Sequence, residues 1–539
     1  MKKNLLMIIG NLFCIIFFLL MYLIMYNNSS CEVLSFKFDT IIELEENEIV
    51  NWNLMPIRDI DLNNQTIEIC DGGVYHLTGN IDDGYIIIGT NSYVKLILDN
   101  VKINNSNGPC IIINNARQIV IELARDSVNY LTDGFNYDNV LYDGCLFSKS
   151  NLVLQGNGTL NIVSNYKDGI VCNDNLKILS GNYIIDSVDD GIRGNDSIYV
   201  SNGTFDITSG GDSFKVTNII DNKKGFMYIE NGNFVINSYG DGFEVSNSLI
   251  INDGVFKIKT KSINGDKQSK KGFKALGNII INNGKFTMDN MDDSFNSKNN
   301  MYIENGNFII QSRDDGIKAI NDLIIKNSNL VIKEAYEGIE GGNVYIYNGS
   351  YNIKVRDDGI NVKKDDDDEK TREQLMVVGN LLIENGNFII EAEADGFDVN
   401  GNITINNGTI FIDAASIMSE NAVDYNGYCN INGGILIGVS GHNLLAQGAS
   451  DTSKQHSLMY YLTEGYSPSE FLIIDNDNKE VFRYKTKKEY RNIFVSSKNL
   501  EKNKIYSLKI GGKTISKINL TSMFNDDYNK EKEKEILER

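Results

Sequence analysis

The stretch "ENGNFIIQSRDDGIKAI", residues 304–320, combines an Asn-Gly turn, a short apolar run and two adjacent acids that precede a glycine. Closely similar segments occur at 230–246 ("ENGNFVINSYGDGFEVS") and at 384–400 ("ENGNFIIEAEADGFDVN"). The glycine of the Asn-Gly turn in this motif recurs along the chain, and neighbouring copies such as Gly284 and Gly306 are 22 residues apart. A repeat this short and regular indicates a solenoid, in which each unit contacts only its neighbours.

Each repeat has the pattern of short β-strands. Phe308 and Ile310 alternate with residues that can face solvent, and no apolar stripe of helical period is present. Three short strands and three bends fit one 22-residue coil, and such coils stack at about 4.8 Å. The sequence therefore predicts an all-β fold, a right-handed parallel β-helix. The repeat position is occupied by Gly158, Gly181, Gly203, Gly232, Gly254, Gly284, Gly306, Ser328, Gly349, Gly386, Gly408 and Gly433.

The N-terminus predicts a membrane segment. Lys2 and Lys3 precede the uncharged run 5–26, which is long enough to span a bilayer with its N-terminus inside. A cleaved signal peptide is the alternative. Either reading places the rest of the chain at the extracellular face of the cell membrane or in the medium. We predict a signal anchor (1–30), a linker and N-terminal cap (31–64), the β-helix (65–440), a β-hairpin cap (441–518) and a charged tail (519–539).

Composition excludes several classes of function. The formal net charge of −21 argues against nucleic acid as a partner, because binding it requires clustered Lys and Arg. An anionic polymer would bind only if cations bridged the two acidic surfaces. Seven Cys lack metal-ligand spacing, and three scattered His provide no histidine cluster. We expect a monomer.

An acid follows most repeat glycines at a distance of nine residues. In register, these acids would form a column of like charges on one edge of the solenoid, and such charges repel. Raised carboxyl pKa values, basic neighbours or bound cations would relieve the repulsion. Asp168 fits with one extra residue, and Lys271 stands where the coil after Gly254 would carry an acid. The acids are Asp190, Asp212, Asp241, Asp293, Asp315, Glu337, Asp358 and Asp395.

The position three residues after each acid separates the two halves of the column. In the first half it is often basic, as at Arg193 and Lys215, so ion pairs can neutralise the column. In the second half a further acidic column forms from Glu340, Asp398 and Asp424, where a cation is the favoured remedy. Oxygen-rich sites of this kind suit Ca²⁺. The predicted ligands are therefore the eight acids above together with these three.

A purely structural role is the alternative for every one of these acids. Asp-Gly in a solenoid bend can be turn chemistry alone, with the carboxylate accepting backbone N–H bonds. The acid-rich run 364–370 ("KDDDDEK") lies in a long insertion and predicts a solvated loop.

Several sequence segments, taken together, resemble those of one protein family. These are "SVDDGIRGNDSIYVSNGTFDI" (187–207), "AYEGIEGGNVYIYNGSYNIKVRDDGIN" (335–361), "DGFDVNGNITINNG" (395–408) and "INGGILIGVSG" (431–441). They resemble the carbohydrate-binding parallel β-helix proteins of anaerobic cellulose- and pectin-degrading bacteria. The resemblance implies a right-handed β-helix shaped like pectate lyases, which binds Ca²⁺ and plant-wall polysaccharides of the polygalacturonate or cellulose type. It implies adhesion and no established catalytic activity. The chain departs from the pattern at Lys271, Ser213, Ser294 and Ser328.

Three functions remain open on the sequence. The first is a membrane-tethered protein that binds polysaccharide through Ca²⁺ and is not an enzyme. The second is a polysaccharide lyase, which needs Ca²⁺ and a basic side chain, with Arg193, Lys215 and Lys271 as the candidates. The third is a structural cell-surface spacer without a ligand.

Overall fold

The computed structural model of the chain describes residues 50–262, 268–363, 379–417, 420–441 and 446–529. The predicted membrane segment 5–26 and the acidic run 364–370 lie outside the described residues. Within the described part, no helix combines the length and the apolar character needed to cross a bilayer. The helix that it contains is a short 3₁₀ turn, Trp52–Leu54.

The chain is all-β, and its strands are short. The strands up to residue 200 are β1 (Ile57–Asp61), β2 (Ile67–Ile69), β3 (Gly73–Ile81), β4 (Ile86–Gly89), β5 (Tyr93–Asn105), β6 (Ile111–Asn115), β7 (Gln118–Leu123), β8 (Val128–Asp133), β9 (Gly144–Ser148), β10 (Leu152–Gly156), β11 (Thr159–Ser164), β12 (Asp168–Cys172), β13 (Asn175–Ile178), β14 (Asn182–Ser187), β15 (Ile192–Gly194) and β16 (Ser197–Val200).

The regular coils continue to residue 440. Their strands are β17 (Thr204–Ser209), β18 (Phe214–Val216), β19 (Phe226–Ile229), β20 (Asn233–Ser238), β21 (Phe243–Val245), β22 (Leu249–Ile251), β23 (Val255–Thr260), β24 (Phe273–Ala275), β25 (Ile279–Ile281), β26 (Lys285–Asn290), β27 (Phe295–Ser297), β28 (Met301–Ile303), β29 (Asn307–Ser312), β30 (Ile317–Ile325), β31 (Ser328–Glu334), β32 (Ile339–Ile346), β33 (Gly349–Val355), β34 (Ile360–Val362), β35 (Asn380–Ile383), β36 (Asn387–Ala392), β37 (Phe397–Val399), β38 (Asn402–Ile405), β39 (Thr409–Asp413), β40 (Val423–Tyr425), β41 (Cys429–Ile431) and β42 (Ile435–Ser440).

These strands form a solenoid of parallel sheets. Through most of the solenoid every third strand pairs in parallel, so that β17 pairs β20 and β20 pairs β23, whereas the longer strands β30 and β32 each take part in two sheets. We call the sheet with β16, β19 and β22 the first sheet, that with β17, β20 and β23 the second, and that with β18, β21 and β24 the third. Phe286 is in register with Phe308, 22 residues later. The structure thus confirms the predicted all-β solenoid with 22-residue coils.

Two aromatic stacks run through the solenoid interior. In the second sheet, the rings of Phe234 and Phe286 lie 4.7 and 4.9 Å from the ring of Phe256, nearly parallel to it. In the third sheet, the rings of Phe243 and Phe273 stack at 4.7 Å. The two stacks meet edge to face, an arrangement that adds to the stabilisation from burial alone. In-register repetition therefore places identical side chains against each other across the core.

The repeat glycine is required by the ring that follows it. At Gly306, φ is +150°, and an added Cβ would lie 2.7 Å from the Phe308 ring. Ser328 occupies the same position one coil later, but its second neighbour along the chain is Leu330 instead of phenylalanine. Leu330 thus removes the ring contact that a side chain at the repeat position would meet at Gly306.

Antiparallel strands cover the C-terminal end of the solenoid. They are β43 (Ser457–Tyr466), β44 (Glu470–Ile474), β45 (Glu480–Lys485), β46 (Tyr490–Ser497), β47 (Ile505–Ile510) and β48 (Lys513–Asn519), and β49 (Phe524–Asp526) lies within the predicted tail. β46 pairs antiparallel with β42, the last strand of the second sheet. Ser450 accepts a bond from the backbone N–H of Cys429 on the first sheet, and Gln447 accepts one from Tyr425 on the third. Backbone groups at the ends of the sheets, which could otherwise pair with another chain, thereby find partners within the protein.

The register corrects one detail of the predicted repeat. Thr409 pairs with Ile435, so Gly434 and not Gly433 is equivalent to Gly408. The pair Gly433-Gly434 adds one residue to this bend, which a fixed spacing could not reveal.

Removing one ring from the aromatic stack should destabilise several coils. Phe256→Ala is expected to lower the free energy of unfolding by about 3–5 kcal/mol, because the ring is buried between four others. Val255→Ala, at an exposed position of the same strand, should change it by about 0.5 kcal/mol or less. Thermal unfolding followed by circular dichroism measures both, and equal midpoints for the two variants would contradict the account of the core.

Candidate functional site

Nine acids occupy equivalent positions of the coils and lie at the edge of the third sheet. All of them are buried, and the most exposed, Asp358, has 8% of its surface accessible. We call this set the acid column: Asp168, Asp190, Asp212, Asp241, Asp293, Asp315, Glu337, Asp358 and Asp395. Like charges are thus stacked from coil to coil inside the fold, where mutual repulsion is stronger than in water.

One oxygen of most column acids binds the backbone of the next coil. The backbone N–H of Asp212 donates to Oδ1 of Asp190 at 2.8 Å, and that of Asp241 donates to Oδ1 of Asp212 at 2.6 Å. The same bond joins Asp395 N–H to Oδ1 of Asp358 at 2.8 Å. The structural role that the sequence left open as an alternative is therefore present, and it uses only one of the two carboxylate oxygens.

Lysines neutralise the second oxygen along most of the column. Seven of the eleven predicted metal ligands have a lysine Nζ within 3.5 Å: Asp190, Asp212, Asp241, Asp293, Asp315, Glu337 and Glu340. Lys215 illustrates the arrangement, with Nζ 2.6 Å from Asp212 and 3.3 Å from Glu244 on the next coil. The neighbouring carboxylates raise the pKa of Lys215, which keeps the ammonium charged.

Lys271 is part of the column although it is not an acid. Its backbone N–H donates to Oδ1 of Asp241 at 2.6 Å, as an acid at this position would. Its Nζ lies 2.9 Å from Asp293, the column acid of the next coil. The departure from the repeat therefore supplies a counter-ion within the column.

Four predicted ligands have no such partner. Among the described residues, no Lys or Arg forms an ion pair with Asp358, Asp395, Asp398 or Asp424, which we call the unpaired tetrad. Asp398 is in register with Asp424 on the next coil. Burial raises the pKa of Asp358 to about 7, of Asp395 to about 8 and of Asp398 to about 6, and it also raises the pKa of Asp424. Within the described residues, the tetrad is thus the part of the acidic positions without an ion pair to Lys or Arg, although the charge of Lys363 acts to lower the pKa of Asp398.

Two buried oxygen atoms beside the tetrad have no hydrogen-bond partner within the part of the chain that the structure describes. They are Oε2 of Glu337 and Oδ1 of Asn361. Asn361 stands in register between Glu340 and Asp398, and its amide nitrogen donates to Oε1 of Glu337 at 2.7 Å. A buried carbonyl oxygen without a donor costs about 1–3 kcal/mol.

The chemistry of this region fits a hard cation. Its available donors are carboxylate and amide oxygens, the ligands that Ca²⁺ takes in proteins. A divalent cation would compensate the tetrad and give Asn361 Oδ1 a partner. Asp358, Asp395, Asp398 and Asp424 are therefore the predicted ligands that lack a basic partner among the described residues and could hold a cation, with Asn361 as a further oxygen donor.

Two members of the column's ion-pair network, Lys363 and Asp143, were missed in the sequence. Lys363 begins the long insertion, and its Nζ lies 3.0 Å from Glu337 and 3.6 Å from Glu340. Arg193 binds Asp168 at 2.7 Å and also contacts Asp143. "DGCL" at 143–146 has the same Asp-Gly-apolar pattern as the later repeats and would have revealed Asp143. Lys363 has no counterpart in the other coils, so no repeat pattern reveals it.

Comparison with known proteins identifies a family. The family model described as "Carbohydrate-binding domain-containing protein" matches residues 63–316 and 310–465. A curated protein of the same description from Acetivibrio thermocellus is 32% identical over 147 residues, which cover 26% of this chain and 51% of that protein. The chain thus spans about half the length of this relative. A solved structure of a polysaccharide lyase-like protein from C. thermocellum, a gadolinium derivative, is 28% identical with a TM-score of 0.39 and covers 41% of this chain and 95% of that one.

Removing a lysine from the column should destabilise the fold. Lys215→Met leaves Asp190 and Asp212 without a lysine partner, while Glu244 keeps Lys274, and we expect the free energy of unfolding to fall by about 3–5 kcal/mol. Lys259→Met breaks a half-exposed pair with Asp289 and should cost about 1 kcal/mol or less. Urea unfolding of both variants provides the measurement, and a Lys215→Met loss as small as the control would refute the counter-ion role.

Proposed function

Since the chain belongs to the carbohydrate-binding domain-containing family, we propose that it binds an acidic polysaccharide through Ca²⁺ held at the unpaired tetrad. Its polymer would be uronate-rich, of the polygalacturonate type. Residues 5–26 would hold the chain at the extracellular face of the cell membrane.

The observation that carries the proposal is the absence of basic partners at one end of an otherwise neutralised column. Seven predicted ligands have lysine partners, whereas Asp358, Asp395, Asp398 and Asp424 have none among the described residues. Each of the four also carries a raised carboxyl pKa, which reflects the cost of leaving these charges buried. Ca²⁺ removes that cost by direct coordination.

A bound cation would also reduce the electrostatic repulsion between the acidic protein and an anionic polysaccharide. The chain has a net charge of −21, and a uronate polymer is itself anionic. Ca²⁺ with ligand positions left open can accept a uronate carboxylate as well as the protein carboxylates, because its coordination shell takes 6–8 oxygens. Binding of the polymer then depends on the metal.

Binding without turnover is favoured over lyase chemistry. A lyase abstracts a proton with a basic side chain that must be uncharged at the working pH. The carboxylates around Lys215, Lys271 and Arg193 raise the pKa of each of these groups, so all three remain protonated. Their ion pairs also direct them to protein carboxylates.

The test is retention of the full chain, in mild detergent, on insoluble polygalacturonate. We expect retention in Ca²⁺ that is lost in EDTA, without new absorbance from unsaturated products. Asp398→Asn with Asp424→Asn should weaken retention at least about tenfold, since two cation ligands are lost. Asp206→Asn, at an exposed position of β17, is the control and should bind normally.

The other outcomes distinguish the alternatives. Rising absorbance would select the lyase. No retention on polygalacturonate in Ca²⁺ would leave the spacer function and contradict the proposal.

Calcium affinity should depend on pH. Burial raises the pKa of Asp358, Asp395 and Asp398 to about 7, 8 and 6, so the metal must displace protons from these groups in this range. We expect Ca²⁺ to bind at least about tenfold more weakly near pH 5.5 than near pH 8, with release of protons on binding. Isothermal titration calorimetry in buffers of different ionisation enthalpy measures both quantities, and affinity that is constant with pH would be inconsistent with the site.

Stability without calcium should follow the opposite trend. The folded carboxyls of the tetrad bind protons more tightly than the unfolded chain, whose aspartates titrate near 3.8. In EDTA, the contribution of these groups to the free energy of unfolding is therefore largest below about pH 4. It is lost as the pH rises to about 8. The Asp398→Asn, Asp424→Asn variant should show a shallower fall in melting temperature than the native chain.

A further inference from the structure

Two cysteines of successive coils lie with their sulfur atoms in contact inside the solenoid. Cys110 directly precedes β6, and Cys145 lies in β9. The S–H of Cys145 is directed at Sγ of Cys110, with the two sulfur atoms 3.7 Å apart, and both side chains are fully buried. We call these two residues the cysteine pair. They belong to coils near the N-terminal end of the solenoid, whereas the unpaired tetrad belongs to coils near its C-terminal end.

Parallel pairing holds the cysteine pair at a separation suited to a disulfide. The residues that follow the pair, Ile111 and Leu146, are register partners in β6 and β9. The backbone N–H of Cys110 donates to the carbonyl oxygen of Cys145 at 2.8 Å. Neighbouring strands lie about 4.8 Å apart, and a disulfide bridges α-carbon atoms that are about 4.4–6.8 Å apart. A bond between the two sulfur atoms therefore requires only that the side chains rotate.

The other buried cysteines do not share this arrangement. Cys172 donates its S–H to the backbone carbonyl oxygens of Ser150 and Asn175, each at 3.4 Å. Cys429 is also buried and free. In the part of the chain that the structure describes, the cysteine pair is the one place where two sulfur atoms are in contact.

A bond between the pair would close a ring around one irregular coil. Residues 111–144 lie between the two cysteines, and they include the segment 134–143, which connects the second sheet to the third at this coil. Phe135, Val140 and Leu141 in this segment are largely exposed. Segments with few buried apolar side chains open more readily than regular coils. A covalent link between the ends of the ring would limit the opening of this coil.

We propose that Cys110 and Cys145 form a disulfide bond that fastens these two successive coils to each other. The inference is independent of the proposed function, because it concerns a covalent modification of the chain itself.

The oxidant is a small-molecule disulfide such as oxidised glutathione. One cysteine thiolate attacks a sulfur atom of the oxidant, which forms a mixed disulfide and releases one molecule of reduced thiol. The second cysteine thiolate then attacks the protein sulfur of the mixed disulfide, which forms the Cys110–Cys145 bond and releases a second molecule of thiol. The two protein thiols lose two protons and two electrons in all, and the oxidant takes up both.

Burial determines when the bond forms and how it is broken. It raises the pKa of the Cys145 thiol well above its usual range, and the thiolate, not the thiol, is the nucleophile in disulfide exchange. The bond therefore forms while the chain folds, before the coil of Cys145 closes on the coil of Cys110. Once the two coils are stacked, both sulfur atoms are shielded from a reductant in the solvent.

The test is refolding of the full chain from urea, in mild detergent, with a mixture of reduced and oxidised glutathione. After alkylation of free thiols and digestion, mass spectrometry should show the peptides of Cys110 and Cys145 joined and two hydrogen atoms lighter than their sum. Reduction of this bond by dithiothreitol should be at least about tenfold slower in the folded chain than in concentrated urea, because the sulfur atoms are buried.

The disulfide should also raise thermal stability. The melting temperature of the oxidised chain should exceed that of the chain refolded with dithiothreitol by about 3 °C or more. Cys145→Ala should abolish this difference, and Cys172→Ala, the matched control at an equally buried cysteine, should retain it. Each variant is compared with itself in the two redox states, so the cost of the cavity cancels.

Either of two results on the native chain overturns the inference. One is alkylation of both Cys110 and Cys145 as free thiols after refolding in the glutathione mixture, and the other is a bond from either of them to a different cysteine. These peptide results decide the matter even if Cys145→Ala fails to fold. A difference in melting temperature that persists in a folded Cys145→Ala variant would contradict the stabilising role of the bond.

Discussion

Parallel pairing in register is the constraint on which the rest of this structure depends. Because each coil is stacked on an equivalent coil, every side chain meets its own counterpart above and below. For apolar residues this is favourable, since rings such as Phe256 and Phe286 stack. For carboxylates it is unfavourable, and the structure must compensate each added charge.

Compensation takes two forms in this chain. Backbone N–H groups of the next coil satisfy one oxygen of a column acid, as Asp212 does for Asp190. Lysines between coils neutralise the other oxygen, and Lys271 does so from within the column itself. At the unpaired tetrad no ion pair to Lys or Arg is found among the described residues, and two of its four carboxyl groups, those of Asp358 and Asp395, are buried. The same repeat thus gives a structural ladder over most of its length and a candidate ligand site at one end.

Much of the fold could be predicted from the sequence, because the repeat is local. The spacing within one coil predicts that Gly306 lies in a bend, Phe308 in the core and Asp315 in the acid column. The structure places each of these residues as expected. The candidate site was less predictable, because its character depends on which lysine reaches which carboxylate. Lys363 extends from an insertion without a repeat counterpart, and Lys318 binds Glu340 on the following coil as well as Asp315 on its own. Such contacts join residues in different coils, so the order of residues within one repeat does not specify them.

The covered C-terminal end has a consequence for how such chains diversify. β46 and the residues near Ser450 satisfy the last coil through contacts to the strands that end each sheet, and they depend little on how many coils precede them. Duplication or deletion of a 22-residue segment in the middle of the chain would therefore change the length of the solenoid and leave the same terminus. The length of the solenoid can in this way vary between related chains while the C-terminal cap stays the same.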